Sequence, residues 1–420
     1  MSEWKEYKLG EVAIPVRDRI ETSCLDISSY ISTENMLPNK AGVTLSSGIP
    51  EGNAIKFKEE DILISNIRPY FKKIWKADKI GGCSGDVICL RASEGVDSLY
   101  LYYLLSQDKF FNYVMLGSKG TKMPRGDKNQ IMQWPVLIPS KNQQNTIATI
   151  LSSLDDKIAV NKRICENLEA QAQALFKHWF VDFAPFKDGN FCANREQNET
   201  CFNSAEVQPK ITGKACKFVE SELGLIPEGW KISTIYEYID VIYGAPYKSS
   251  LFNDKKNGLP LIRIRDLKTY SPQFYTPEIL PTTEYIEAGN VVAGMDAEFI
   301  PYIWLGERGV LNQRCCKFKG KDNRISNYYI LFLVKPELEY VQSYKTGTTV
   351  SHLGKSDIDR FRVVSPPLDV ILSFSDIVNS MKEEVVTRAK ESLRLSTLRD
   401  TLLPKLMSGQ IKINEIEKSL

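Results

Sequence analysis

The sequence predicts an α+β chain with a pseudo-twofold internal repeat, in which two related mixed α/β globules are separated by two long helices that form an antiparallel coiled coil. Three observations predict it. Landmarks recur after about half the chain, a heptad seam closes each half, and short β-type runs lie between turn residues in both halves.

The landmarks are taken in chain order. Trp4-Lys5 returns as Trp230-Lys231, just after Pro227-Glu228-Gly229. The run from Asp61 to Trp75 corresponds to Asn290–Trp304, Ser98-Leu-Tyr100 to Ser326-Asn-Tyr328, Gly120-Thr121 to Gly347-Thr348, and Pro139 to Pro366, all at offsets of 226–229. Each is weak alone; their agreement in order and spacing marks a duplication whose copies have diverged between landmarks.

The expected division follows: a globule over 1–140, a helix over 141–183, a connection over 184–226, a second globule over 227–366, a second helix over 367–408 and a tail over 409–420. Within the globules, Asp61–Ile67, Gly85–Leu90, Leu261–Ile264 and Gln313–Phe318 suit strands, while Leu99–Phe111 and Tyr328–Val334 suit short amphipathic helices. Between Lys187 and Lys217 the chain turns polar and loses periodicity, the composition of an exposed, mobile connection.

The first helix carries Ile147, Leu151, Leu154, Ile158, Asn161, Cys165, Leu168, Ala172, Leu175 and Trp179, stepping by 4 and 3. That spacing keeps one stripe facing a partner helix. The same register, 227 residues on, gives Phe374, Val378, Met381, Val385, Arg388, Ser392, Leu395, Arg399, Leu402 and Leu406. Blunt-ended antiparallel pairing sets Asn161 opposite Ser392 and Cys165 opposite Arg388, polar layers that fix register at some cost in stability. A rod of about 50 Å is on the scale of one turn of DNA between half-sites. Two diverged globules on such a rod suit a bipartite, asymmetric DNA target.

Composition sets bounds. With 43% hydrophobic and 25% charged residues the chain is of globular type, and its net charge of +2 says little about partners. No run approaches the roughly 20 apolar residues of a membrane span, and the opening MSEWKEYKLGEV has no apolar core, so a cytoplasmic location is expected. The nine cysteines include no C-x-x-C pair, and His178 and His352 are the only histidines, so neither disulfides nor a metal site is expected.

Longer stretches resemble the specificity subunit of type I restriction–modification enzymes. NLEAQAQALFKHWFVDFAPFK (167–187) is similar to the family's ending for its first spacer helix, and ELGLIPEGWK (222–231) to the start of its second target-recognition domain. TGTTVSHLGKSDI (346–358) resembles the last loop of such a domain, and LRDTLLPKLMSGQI (398–411) the closing helix. The resemblance covers essentially the whole chain. Departures are the polar Arg388, Ser392 and Arg399 in the second seam, and the plain GSKGTKMPRGD (117–127) where a GTT-type loop stands in the family. It implies two target-recognition domains that each read half of a split double-stranded DNA site, and two modification subunits docked on the spacer helices. It also implies translocating restriction subunits. No cofactor is implied for this chain itself; S-adenosylmethionine, ATP and Mg belong to the partners, with adenine as the methylated base.

DNA contacts need Lys, Arg and small polar groups for phosphates, and Arg, Lys, Asn or Gln for base edges. In the first domain Asn66, Arg68, Tyr70, Lys72 and Lys73 follow a strand, and Lys119, Thr121, Lys122, Arg125 and Lys128 crowd a glycine-broken loop. In the second, Arg263, Arg265 and Lys268 follow a strand-like run, joined by Gln313, Arg314, Lys345, Thr348 and Thr349.

A catalytic centre is not legible. No Asn/Asp-Pro-Pro-aromatic motif and no strand-linked G-x-G-x-x-G occur, and Gly347 and Gly354-Lys355-Ser356 are spaced too widely for a phosphate loop. His178 reads as packed or capping, and Asp155-Asp156 as a solvated helix face. Other readings remain beside the main one: a nuclease or methyltransferase with an undetected site, a protein-only coiled-coil adaptor, and the specificity subunit of a related enzyme that cuts on both sides of its target.

Overall fold

A computed structural model describes residues 4–120, 122–187, 216–345 and 351–411. The chain forms two compact units, one of residues 1–158 with 394–420 and one of residues 159–393. Most of the expected connection, and the tail beyond 411, lie outside the described residues.

In the first unit a four-stranded antiparallel sheet runs in the order Ala13–Pro15, Val87–Ala92, Ile62–Ser65, Ile74–Lys76. The second unit repeats it as Ile239–Tyr243, Cys315–Gly320, Val291–Gly294, Pro301–Ile303. Their central strands are the hydrophobic runs seen in the sequence, and Ile62, Ile64, Leu90, Val291 and Phe318 are buried in the respective cores. Each unit also pairs its opening strand with the strand before its long helix: Lys5–Lys8 with Pro135–Ile138, and Lys231–Ser233 with Val363–Ser365.

The second sheets share three strands and differ in the fourth. Tyr30–Ile31 runs parallel to Gly81–Cys83, which is antiparallel to Asn53–Phe57. In the other unit Leu259–Ile262 runs parallel to Gly309–Leu311, which is antiparallel to Tyr285–Ile286. The extra strand lies on opposite edges: Arg19–Glu21 beside Asn53–Phe57, but Tyr275–Thr276 beside Leu259–Ile262. Glycine is required where the parallel strands approach. A Cβ at Gly81 would stand 2.2 Å from the Ser29 carbonyl oxygen, and one at Gly309 2.5 Å from that of Pro260.

The long helices span Lys141–Phe176 and Leu368–Met407. Within the first unit, Ile147 and Leu151 pack in one core with Leu403 and Leu406, and Asp155 pairs with Arg399. Within the second, Phe176 meets Phe374 at 5.9 Å and Asn161 meets Ser392. Both contact sets run antiparallel. A π turn over Lys177–Val181 ends the first helix and buries the adjacent rings of Trp179 and Phe180. Each unit's opening tryptophan seats on a helix end that carries a left-handed residue. Trp4 lies against Gly409 (φ 70°), and Trp230 packs edge-on to Phe183 (φ 53°) and Phe186.

Several local expectations are corrected. The helix read as Leu99–Phe111 is two helices, Ser98–Leu105 and Asp108–Leu116, because Ser106 turns its hydroxyl onto the Tyr102 carbonyl and Gln107 is extended. The helix read as Tyr328–Val334 runs from Asn327 to Lys345. Asp155 is not on a solvated face: it takes Arg399 Nη1 at 2.5 Å and the Tyr103 hydroxyl at 2.7 Å. His178 is exposed, while the neighbouring Trp179 is buried.

Candidate nucleic-acid interface

One loop crossing is built twice. In the first unit the strand Ile62–Ser65 runs into Asn66, whose amide donates to the Asp86 carbonyl (2.9 Å) and whose carbonyl accepts from Gly126 (3.1 Å). The next turn is left-handed at Arg68 (φ 50°), whose amide donates to the Pro124 carbonyl at 2.8 Å. In the second unit Met295 donates to the Arg314 carbonyl (2.9 Å) and accepts from Leu353 (2.7 Å). Ala297 (φ 63°) donates to the Ser351 carbonyl at 3.0 Å. Residue for residue this is the same crossing, and a left-handed turn at a non-glycine residue is held only where its surroundings fix it.

Around the first crossing the charged candidates converge. Lys119 and Arg125 exchange two backbone hydrogen bonds of 3.0 Å, closing the glycine-broken loop into a tight ribbon. The Arg125 guanidinium reaches Asp86 at 2.9 Å, Lys119 reaches Asp127 at 3.5 Å, and Lys128 donates to the Gly85 carbonyl at 3.3 Å. Asp127 caps the helix Lys128–Met132, and the amides of Gln130 and Asn129 hold its carboxyl below the usual carboxylate range. Lys122 is exposed and Thr121 lies outside the described residues. The ring of Tyr70 is exposed beside Phe71 at 4.7 Å.

The two lysines that follow the strand are engaged within the unit. Lys72 pairs with Asp108 at 2.9 Å, and Lys73 donates to the Thr33 carbonyl at 2.6 Å, with burial pushing its ammonium below the usual lysine range. Asn66 is buried; its Oδ1 and the Nε of Arg68 have no hydrogen-bond partner among the described residues. A Cβ at Gly126 would come 2.8 Å from that Oδ1, so the glycine makes room for the amide.

In the second unit Asp296 gathers Arg314 Nε (3.4 Å) and His352 Nδ1 (2.7 Å) at the crossing. Lys345 is spoken for: its ammonium meets Asp357 Oδ2 at 2.5 Å and the His352 carbonyl at 2.7 Å. Burial pushes the Asp357 carboxyl up, but the Lys345 contact and the Gly354 amide outweigh it and leave the group below its ordinary value. Arg263 directly follows the strand Leu259–Ile262. It precedes the short helix Ile264–Leu267, lays its guanidinium 4.4 Å over the Phe274 ring, and sits 3.5 Å from the buried Asp266. Burial raises the Asp266 pKa despite Arg263. Arg265, Lys268 and Gln313 are exposed, and the Asn312 amide donates to the Ile262 carbonyl (3.0 Å), joining these segments. Thr348 and Thr349 lie outside the described residues.

Asp86, Asp296 and His352 were not candidates in the sequence. A signal existed, since the offset of 227 carries Arg125 onto His352. Of the seam residues, none is exposed: Asn161 is fully buried, and Arg388 lies between Glu384 (2.7 Å) and Glu391 (3.2 Å). Cys165 directs its sulfur to the Val385 carbonyl at 3.7 Å. Among the described residues no cluster of His, Cys, Asp and Glu is arranged to hold a metal ion, and no helix is long and apolar enough to cross a membrane.

The family model described as the type I restriction modification DNA specificity domain matches the chain twice, over residues 1–170 and 227–384. The chain belongs to this family. Each match takes in one crossing and part of one long helix, so the family unit is the repeat itself. Among specificity subunits, that of the type I enzyme HindI of Haemophilus influenzae is 26% identical over 463 residues, covering 98% of this chain and all of the relative. That of MjaIX from Methanocaldococcus jannaschii is 26% identical over 344 residues, covering 77% of this chain and 71% of the relative. The crystal structure of a type I S subunit from M. genitalium aligns over 97% of this chain and 96% of that one, with a TM-score of 0.54 at 15% identity, a likeness of fold.

Proposed function

We propose that this specificity subunit reads DNA sequence for a type I restriction–modification enzyme without performing chemistry itself. Each globular unit recognises one half of an asymmetric bipartite site in duplex DNA. The helix pair sets the number of unspecified bases between halves and docks two modification subunits; restriction subunits complete the enzyme. S-adenosylmethionine, ATP and Mg act in those partners, and adenine is the methylated base.

The observation that carries this reading is the doubled crossing with unlike side chains. The backbone frame is the same in both units, yet Asn66, Arg68 and Arg125 of one stand where the other has Met295, Ala297 and His352. A shared frame with different groups on it is what two readers of different half-sites require, since base edges are distinguished by donor and acceptor pattern.

Mapping methylated bases across the host genome with and without this gene tests the reading. The expected result is one motif, two unlike blocks at a fixed gap, that disappears with the gene. An uninterrupted motif, or methylation unchanged by deletion, would overturn it.

A further inference from the structure

The basic loop of the first unit is interleaved with apolar side chains that stand exposed among the described residues. Leu116, on the last turn of the helix Asp108–Leu116, is 86% exposed, the most of any large apolar side chain among the described residues. Met123, inside the Lys119–Arg125 ribbon, is also exposed, as is Tyr70 on the facing loop. The second unit repeats the placement with other residues. Tyr340 and Tyr344, with rings 5.5 Å apart, are exposed on the last two turns of the helix that leads into its loop. That helix is tied to the crossing by Gln342, which accepts from the Phe299 amide and donates to the Ala297 carbonyl, both at 2.9 Å.

Leucine neither donates nor accepts a hydrogen bond, so on a base edge it has only the thymine methyl to meet, whereas between two bases its whole side chain is covered. Standing alone in water it gains nothing for the fold. Its surroundings say what covers it. Arg68, Lys119, Lys122, Arg125 and Lys128 flank the site against Asp86 and Asp127, an excess of positive charge that fits a polyanion. Apolar side chains beside phosphate-binding cations are the means by which proteins unstack a base step and kink a duplex.

We propose that Leu116 enters the base stack of bound duplex DNA as a wedge, and that the Tyr340–Tyr344 pair does so for the other half-site. This deepens the DNA-reading role proposed above and rests on it. Recognition then includes the deformability of the step that the wedge opens, so the site carries preference at a base pair that no side chain hydrogen-bonds.

The test uses the subunit assembled with its modification subunits, on duplexes carrying 2-aminopurine at successive positions through the mapped site. The expected result is a several-fold rise in fluorescence at one step of the first half-site. Leu116→Ser abolishes that rise and weakens specific binding about tenfold, while binding to scrambled DNA is unchanged and Leu116→Phe retains both signals. The wedge is overturned if no step brightens while specific binding is intact, or if Leu116→Ser matches wild type. It is equally overturned if Leu116→Ser fails to assemble with the modification subunits, which would assign the patch to a protein contact. Failure of the assembled enzyme to bind any bipartite duplex removes the DNA-reading role, and the wedge with it.

Discussion

Asn161 Nδ2 donates to Ser392 Oγ at 3.3 Å, and to Glu391 Oε2 at 2.9 Å, from a side chain that is fully buried in the seam of the second unit. Its Oδ1 has no partner among the described residues, so the layer is only partly satisfied. A buried asparagine of this kind gives up stability to select one register. Asn161→Leu is expected to change thermal stability by less than about 1 kcal/mol, or to raise it, while the enzyme begins to accept sites with altered gaps. Methylation of a duplex series differing only in the gap measures this. A loss above about 3 kcal/mol with the gap still strict would show Asn161 to be a packing residue.

Asp155 holds the half-buried Arg399 and the Tyr103 hydroxyl together. Truncating it leaves both without their shared partner, at a cost of about 2 kcal/mol, whereas Asp156→Ala, one residue on and exposed, is neutral. Urea denaturation of the two variants separates them.

The close approach at Gly81 predicts a steric effect. Gly81→Ala drives a Cβ into the Ser29 carbonyl and is expected to lose about 3 kcal/mol, while Gly85→Ala, with open space around its Cα, loses little. Equal stability of the two would refute the parallel strand contact.

Lys345 is better placed to order its loop than to touch phosphate. Because its ammonium and the Gly354 amide lower the Asp357 pKa against the effect of burial, the charged carboxylate stabilises the fold above the unfolded value near 4. That contribution is lost as pH falls through the lower folded value. Lys345→Ala is expected to be less stable at pH 6 and to lose less stability than wild type between pH 5 and pH 3. Lys122→Ala, in contrast, leaves stability alone and flattens the salt dependence of DNA binding by about one unit. A salt slope changed by Lys345→Ala with stability intact would reverse these roles.

The repeat and the seam were legible because both are written in local spacing. The Asp61–Trp75 and Asn290–Trp304 runs are the hairpins Ile62–Lys76 and Val291–Ile303, and heptads specify which helix stripe is covered. The crossing itself was not legible. Its backbone bonds join residues such as Arg68 and Pro124, far apart in sequence, and left-handed turns at Arg68 and Ala297 have no glycine to announce them. Side-chain roles suffered most. Lys72, Lys73 and Lys345 read as loop cations, but each finds an acceptor supplied by another segment, which composition does not reveal. The opposite edges taken by Arg19–Glu21 and Tyr275–Thr276 were equally hidden, since strands of two or three residues carry almost no pattern.

Changing the strut without touching the heads tests the central claim most directly. About one helical turn, four residues, is inserted into each long helix at facing positions beside Asn161 and Ser392, and the methylated motif of the resulting enzyme is mapped. The same two blocks separated by a longer gap are expected. Altered blocks, or an unchanged gap, would contradict the account.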